Sequence, residues 1–303
     1  MTELRQTSPM TDVRASAARR LDRRVRSTLP HDAVLISRFN HLLDLVARLD
    51  SCVLALSGGI DSSLLLHVTS RILTNRCLAV TADSPALPAW DRADARDASA
   101  SAAAQGATWR VVTTRELEDP RYAMNPRSRC FFCKAEVYGT LDRIRRSEGL
   151  ACVVDGANAT DMAASDRPGM SAAAALGVRS PLAEAGLSKD DVRLLARSLG
   201  MKDWDRPSSA CLSSRIPHGA RITPARLRRV ESAELAIRAL GFSQVRVRDL
   251  GRRARVEVGP GEVGRLLAEP AHVDRAIRGA GFAGWVGAAY SGGGAGDLGV
   301  DGH

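Results

Sequence analysis

Two groups of residues in this chain have the types and spacing to do chemistry. The first is Ser57-Gly58-Gly59-Ile60-Asp61-Ser62-Ser63. Gly58 and Gly59 let the backbone turn tightly and approach a ligand, because no Cβ intervenes. The loop amides and the unpaired N–H groups of a following helix then converge on one spot, which favours an anion through hydrogen bonding and the helix dipole. The hydroxyls of Ser57, Ser62 and Ser63 add donors, so a triphosphate is the expected guest. No Lys-Ser or Lys-Thr follows the glycines, which excludes a Walker A loop.

The second group is Cys130-Phe131-Phe132-Cys133 with Cys211. Four readings fit these thiols. A redox dithiol is one, although no thioredoxin-like context surrounds it. A structural zinc with a fourth ligand such as His218 is another. A third is an iron–sulfur cluster held by three thiolates with one iron open. The fourth makes Cys211 a nucleophile or sulfur donor, its thiolate favoured by the flanking Arg206 and Arg215. The remaining cysteines, Cys52, Cys77 and Cys152, begin apolar strand-like runs and read as small core residues.

The elements that must position these groups alternate. An apolar run, 52–56, leads into the glycine loop, and a helical pattern follows it. Strands are expected at 77–82, 108–113 and 151–155, with helices at 89–105 and 130–148 between them. This alternation predicts an α/β fold, a parallel sheet covered on both faces. Ligands of such sheets bind beyond the carboxyl ends of the strands. The loop 57–63, the turn at Asp83-Ser84-Pro85 and the segment Asp155-Gly156 all fall there. Asp155-Gly156-Ala157-Asn158-Ala159-Thr160-Asp161 reads as a second binding loop for ribose hydroxyls or magnesium, or equally as an Asx-type turn. Residues 162–178 read as a mobile loop, and Ser188 to Asp191 as the cap and first turn of a helix ending near Leu199.

After the polar stretch 206–217 the pattern changes to a smaller α+β domain. A helix at 224–240 precedes strands at 244–248 and 253–258, helices near 261–267 and 271–279, and a strand near 282–286. Arg246 and Arg248 alternate past one residue and share a strand face; they suit a phosphate, or simply a solvated surface. Glu231 and Glu234 share a helix face, and Glu234 with Glu257 suggests a second metal or a plain surface pair. The boundaries expected are a disordered basic extension over 1–33, the sheet domain over 34–205, the smaller domain over 206–288 and a disordered Gly-rich tail over 289–303.

The 303 residues carry a net charge of +9 and are 45% hydrophobic but only 4% aromatic. A basic chain suits polyanions. No stripe of aromatics alternates with the basic residues, which argues against a nucleic-acid platform and for small phosphorylated ligands. No apolar run is long enough for a membrane span, and no signal-peptide core is evident, so a cytoplasmic enzyme without a membrane partner is expected. A homo-oligomer is the expected assembly.

The order Ser57-Gly58-Gly59-x-Asp61-Ser62 resembles the SGGxDS pyrophosphate loop of the ATP pyrophosphatase superfamily, whose members adenylate a substrate and release pyrophosphate. A narrower resemblance covers about residues 35–285. Asn125-Pro126-x-x-Arg129-Cys130-x-x-Cys133-Lys134 resembles the NPxxRCxxCK motif of the LarE family. Asp155-Gly156-x-Asn158-x-x-Asp161, Arg167-Pro168-Gly169, Ser180-Pro181-Leu182, Pro207-Ser208-x-x-Cys211-Leu212-x-Ser214-Arg215, Glu231-x-x-Glu234 and 245–248 follow in the same order.

What the resemblance implies is an ATP-dependent sulfurtransferase that forms AMP and pyrophosphate. Its substrate would be a pyridinium-3,5-dicarboxylate mononucleotide, converted to a thiocarboxylate for a nickel-pincer nucleotide cofactor. Carried onto this chain, it implies nucleotide contacts from Ser57, Gly58, Gly59, Asp61, Ser62, Ser63, Ser84, Lys134, Asp155, Gly156, Asn158, Asp161 and Arg215. It further implies magnesium at Asp61 and the substrate phosphate at Arg246 and Arg248. One branch of the family sacrifices a cysteine at the position of Cys211. Another has three cysteines and binds a [4Fe-4S] cluster carrying an extra sulfide; Cys130, Cys133 and Cys211 place this chain with that branch. A tRNA-thiolating enzyme and a zinc-stabilised nucleotide-binding module are the competing expectations.

Overall fold

A computed structural model describes residues 9–29, 31–163, 168–202, 204–205 and 209–290. The expectations for residues 1–8, for Arg167, Arg206, Pro207 and Ser208, and for the tail beyond Tyr290 lie outside the described residues. The chain divides into two compact units. The first comprises residues 1–83, 90–114 and 133–208; the second takes 84–89, 115–132 and 209–303.

The first unit begins with helices α1 (Pro9–Thr28) and α2 (Ala33–Ala47), followed by strand β1 (Cys52–Ala55) and helix α3 (Ile60–Leu73). Strand β2 (Cys77–Asp83), helix α4 (Ala89–Ala103) and strand β3 (Thr108–Thr113) come next. Helix α5 (Pro120–Ala123) lies in the second unit, and helix α6 (Arg129–Ser147) carries the unit boundary between Phe132 and Cys133. Strand β4 (Cys152–Val154) and helices α7 (Ala159–Ala163), α8 (Pro168–Ala175), α9 (Pro181–Glu184) and α10 (Lys189–Ser198) complete the first unit.

The sheet order is β3-β2-β1-β4, all parallel. The chain runs outward from β1 to β2 and β3, then crosses to place β4 on the other side of β1. The point where the order reverses lies between β1 and β4, and a parallel sheet opens its binding crevice at such a point. Both loops expected to bind a ligand, 57–63 and 155–161, leave the carboxyl ends of these two strands. Strands β1 and β4 are short and apolar because helices cover both faces, whereas the edge strand β3 has no buried residue. Val53 and Leu54 are fully buried, packed on Leu64, Leu65 and Val68 of α3 on one side and on Tyr138 and Leu141 of α6 on the other.

Cys52 stands in register with Cys77 on one neighbouring strand and with Cys152 on the other. Cys52 and Cys77 are buried and Cys152 is half-buried, with its thiol donating to the Ser51 carbonyl. All three are free thiols serving as small core side chains, as expected from the sequence.

Three expectations are corrected. The basic extension is not frayed over its length: α1 spans Pro9–Thr28, because Ala17, Leu21 and Val25 recur every four residues and bury a narrow apolar stripe against α2 and α3. The segment 162–178 is not an open loop, since it contains the end of α7 and all of α8, whose Ala172 and Ala173 are buried. Tyr290 does not begin a loose tail; its N–H donates to the Val258 carbonyl.

In the second unit, helix α11 (Pro224–Ala239) packs on strand β5 (Val245–Leu250), which pairs antiparallel with β6 (Arg253–Val258). Helices α12 (Val263–Ala268) and α13 (Pro270–Gly279) lead to β7 (Gly284–Ala289), parallel to β6. Leu227, Val230, Ala233 and Ile237 of α11, Val247, Val256, Val273 and Ile277 are fully buried. They alternate at helical and strand periods respectively, which is why the α+β pattern was readable.

Candidate active site

The loop 57–63 turns where the sequence placed it. Gly58 has φ +83°, and a Cβ there would lie 2.1 Å from the Asp91 carbonyl oxygen of α4. Only glycine satisfies both conditions. Gly59 is the N-cap of α3 and supplies no side-chain hydrogen bond to it, so the first-turn amides keep their donor capacity. The serines face inward more than expected. The Ser57 N–H donates to Ser62 Oγ at 3.3 Å, and the Ser62 hydroxyl donates to the Gly59 carbonyl at 3.0 Å. Ser62 is buried and shapes the loop, while Ser57 is exposed and Ser63 half-buried.

The second loop docks directly on the first. A Cβ on Gly156 would meet the Ser62 backbone nitrogen at 2.6 Å, so the glycine permits contact between the loops. Asn158 is buried and its Nδ2 donates to Asp61 Oδ1 at 3.2 Å. Asn158 and Asp161 also cap α7 reciprocally, each backbone N–H donating to the other's side chain. Asp155, read from the sequence either as a ligand contact or as part of an Asx-type turn, is buried and closes such a turn. It accepts from the Tyr138 hydroxyl, from the Ser180 hydroxyl at 2.7 Å and from the Ala157 N–H at 3.1 Å. It fixes the loop beneath the site, and burial pushes the Tyr138 phenol up to about 12.

The sequence reading missed Lys189. Its Nζ donates to Asp61 Oδ2 at 2.5 Å, and its backbone N–H donates to Thr160 Oγ1 at 3.1 Å. Nothing in its local sequence distinguishes it from any first-turn lysine; the partnership exists only because α10 starts beside α7. Lys134, expected at the nucleotide, is exposed, with its Nζ 5.0 Å from the Tyr138 ring centroid.

Cys130 and Cys133 sit one turn apart near the start of α6. Cys130 and Cys211 are exposed and Cys133 is half-buried. Within the second unit, the chain before Cys130 is joined to the chain after Cys211. Tyr122 and Ser213 share a hydroxyl hydrogen bond of 2.6 Å. Asn125, at φ +57°, donates to the carbonyls of Ile216, Pro217 and Ala220. A guanidinium nitrogen of Arg129 donates to Asn125 Oδ1 at 2.9 Å and lies 2.8 Å from His218 Nδ1. His218, considered from the sequence as a fourth zinc ligand, is thus committed to a cation. Burial, and then the Arg129 charge, pull its pKa down. Among the described residues no three His, Cys, Asp or Glu side chains gather closely enough to hold a metal ion.

Ser84 belongs to this second unit, and its hydroxyl accepts from the Ala86 N–H within its own turn. The Ala86 carbonyl in turn accepts from the Leu212 N–H, beside Cys211. Arg215 is 2% exposed; it pairs with both Glu234 oxygens and donates to the Cys211 carbonyl at 3.1 Å. It holds the backbone of Cys211 in place. Glu234 is fully buried and also accepts from the Val247 N–H, while Glu257 pairs with Arg248 at 3.1 Å. Each of the two glutamates expected at a metal has a guanidinium partner instead, a large desolvation cost being offset only by such pairing. Arg248 is correspondingly buried. Arg246 makes no ion pair among the described residues and stacks over Tyr290 at 4.6 Å. Burial, followed by the charge of Arg215, lowers its pKa.

No family model matches the chain. It is 39% identical over 236 residues, 78% of its own length and 87% of the relative's, to an uncharacterized protein of Synechocystis sp.. An uncharacterized protein of Methanocaldococcus jannaschii is 26% identical over 230 residues, 76% of this chain and 86% of the relative. The pyridinium-3,5-bisthiocarboxylic acid mononucleotide synthase of Lactiplantibacillus plantarum is 33% identical over 254 residues, 82% of this chain and 90% of that synthase. With both glycine-shaped loops in place and that synthase matched along nearly all of its length, the chain belongs to the LarE family.

Proposed function

We propose that the chain is a cytoplasmic, ATP-dependent sulfurtransferase that converts a carboxylate of a pyridinium-3,5-dicarboxylate mononucleotide into a thiocarboxylate. The observation that supports this most is the 57–63 loop: a glycine-shaped turn opening onto an uncapped 14-residue helix, with Asp61 held by Asn158 and Lys189. Uncapped first-turn amides suit the oxygens of a triphosphate. Magnesium suits Asp61, a half-buried carboxylate beside those amides, and when bound offsets charge on the triphosphate and on departing pyrophosphate.

A carboxylate is a poor electrophile. Its oxygen attacks the α-phosphorus, the bond to pyrophosphate breaks, and an acyl-adenylate forms. Sulfur then attacks the acyl carbon and AMP leaves with the bridging oxygen. Arg246 is the candidate for the substrate's phosphate.

We assign the sulfur to the Cys130, Cys133 and Cys211 set, whose thiolates would hold a [4Fe-4S] cluster; when bound, that group would supply sulfide-level sulfur. The donors fit in kind, being free thiols with Cys130 and Cys211 exposed. They are not gathered around a metal position among the described residues. The exposure of Cys211 and the fixing of its carbonyl by Arg215 favour a second reading. In it, the Cys211 thiolate attacks the acyl carbon; loss of the Cα proton then breaks the Cβ–S bond, leaving dehydroalanine and the thiocarboxylate.

Mass spectrometry of anaerobically purified protein after one turnover tests these readings. Cluster delivery predicts about four irons per chain and an intact Cys211, whereas sacrifice predicts a loss of about 34 Da at Cys211. Failure to form either AMP or thiocarboxylate from Mg·ATP and the dicarboxylate overturns both.

A further inference from the structure

Lys189 occupies an electrostatically odd position. It is the first residue of α10, where the helix dipole disfavours a cation. Its ammonium nevertheless points at Asp61, in the first turn of α3, where the dipole favours an anion. The backbone of Lys189 is fixed from several sides. Ser188 and Asp191 form a capping box around it, Asp191 is anchored by Arg38 at 2.8 Å, and the Lys189 N–H donates to Thr160. The side chain, by contrast, is tied among the described residues only by its ammonium. A fixed base with a flexible four-carbon arm can exchange partners by side-chain rotation alone.

We propose that Lys189 is a displaceable counter-ion, neutralising Asp61 before nucleotide arrives and passing to the phosphates when a magnesium ion takes Asp61. This rests on the reading of the 57–63 loop as a Mg·ATP site. Asp61 Oδ1 accepts from Asn158 and Oδ2 from Lys189, so an incoming cation competes with the ammonium for Oδ2. The side chains of Asp61 and Lys189 are each about one-fifth exposed, so a bare Asp61 carboxylate next to a bound polyphosphate is poorly screened. ATP carries four negative charges and magnesium two positive ones; with Asp61 the sum is −3, and a lysine that follows the phosphates reduces it to −2. The residue therefore lowers affinity for the metal alone and raises affinity for the metal–nucleotide pair.

Calorimetric titration of α,β-methylene-ATP across a magnesium series separates these effects without turnover. Lys189→Met is expected to lower the half-saturating magnesium concentration at least ~3-fold. It is also expected to weaken nucleotide binding at saturating magnesium by ~10-fold, which is about 1.4 kcal/mol. Lys189→Arg, which keeps charge and reach, is expected to restore most of the wild-type affinity. In metal-free buffer without nucleotide, Asp61→Asn combined with Lys189→Met should recover thermal stability that Lys189→Met alone loses, because the unpaired carboxylate is gone. A Lys189→Met protein that melts lower but binds magnesium and nucleotide like wild type overturns the inference and leaves Lys189 as a structural ion pair. Wild-type protein that binds no nucleotide at any magnesium concentration overturns the parent reading, and this one with it.

Discussion

Asp61 and Asp155 are both carboxylates at the mouth of a parallel sheet, yet their surroundings give them different work. Asp61 is half-buried and accepts from Asn158 and Lys189. Asp155 is buried under donors from Tyr138, Ser180 and Ala157 and has a structural part. Gly58 shows how narrowly such a site is specified. Gly58→Ala combines an unfavourable φ with a clash against the Asp91 carbonyl, and it is expected to cost about 3 kcal/mol or more in chemical denaturation and to abolish nucleotide binding. An alanine variant with wild-type stability would show that the loop relaxes freely.

Gly58, Gly59 and Asp61 were legible in the sequence because a tight turn before a helix dictates their types. The Asx-type turn at Asp155 was one of two readings open in the sequence, but its burial under Tyr138 and Ser180, and the pairing of Glu234 and Glu257 with arginines, were not legible. A carboxylate next to a glycine reads the same whether it faces solvent, a ligand or a buried hydroxyl, and only tertiary partners decide. Lys189 was invisible for the same reason, its partner lying far away in the chain.

At the scale of elements, most strands and helices followed from periodicity, while α7, α8 and α9 did not, the Ala-rich run of α8 offering little apolar–polar contrast and α7 and α9 spanning barely a turn. Helix α1 misled because its arginines mask a stripe only three residues wide. Leu21 is 5% exposed within that stripe, and Leu21→Ala is expected to cost about 2–4 kcal/mol, read as a lowered denaturation midpoint. No loss of stability would mean that α1 is dispensable to the sheet unit.

The same corner holds a titrating group. Burial, then the charges of Arg71 and Arg24, lower the pKa of His67 on α3 to about 4. The unfolded chain therefore binds this proton more readily than the folded one. Stability from this group is complete above about pH 6.5 and is lost as pH falls towards 4, by at most about 3 kcal/mol. His67→Gln should flatten that portion of the stability–pH curve; an unchanged curve would mean that His67 is not held neutral.

At the scale of the whole molecule, the division of labour follows the two units. The sheet unit presents the loop and its carboxylate, and the α+β unit joins the chain around Cys130 and Cys211 and carries the arginine cluster. The net charge of +9 suits anionic ligands. No helix among the described residues is long and apolar enough to cross a membrane.

Adenylation is the claim on which the rest depends, and oxygen-18 tests it most directly. When the substrate carboxylates carry the isotope and the protein turns over with unlabelled ATP, a carboxylate oxygen becomes the bridge to the α-phosphorus and leaves with AMP. The account predicts one labelled oxygen in each AMP released, matched by one pyrophosphate. Unlabelled AMP, or ADP and phosphate in its place, would contradict it.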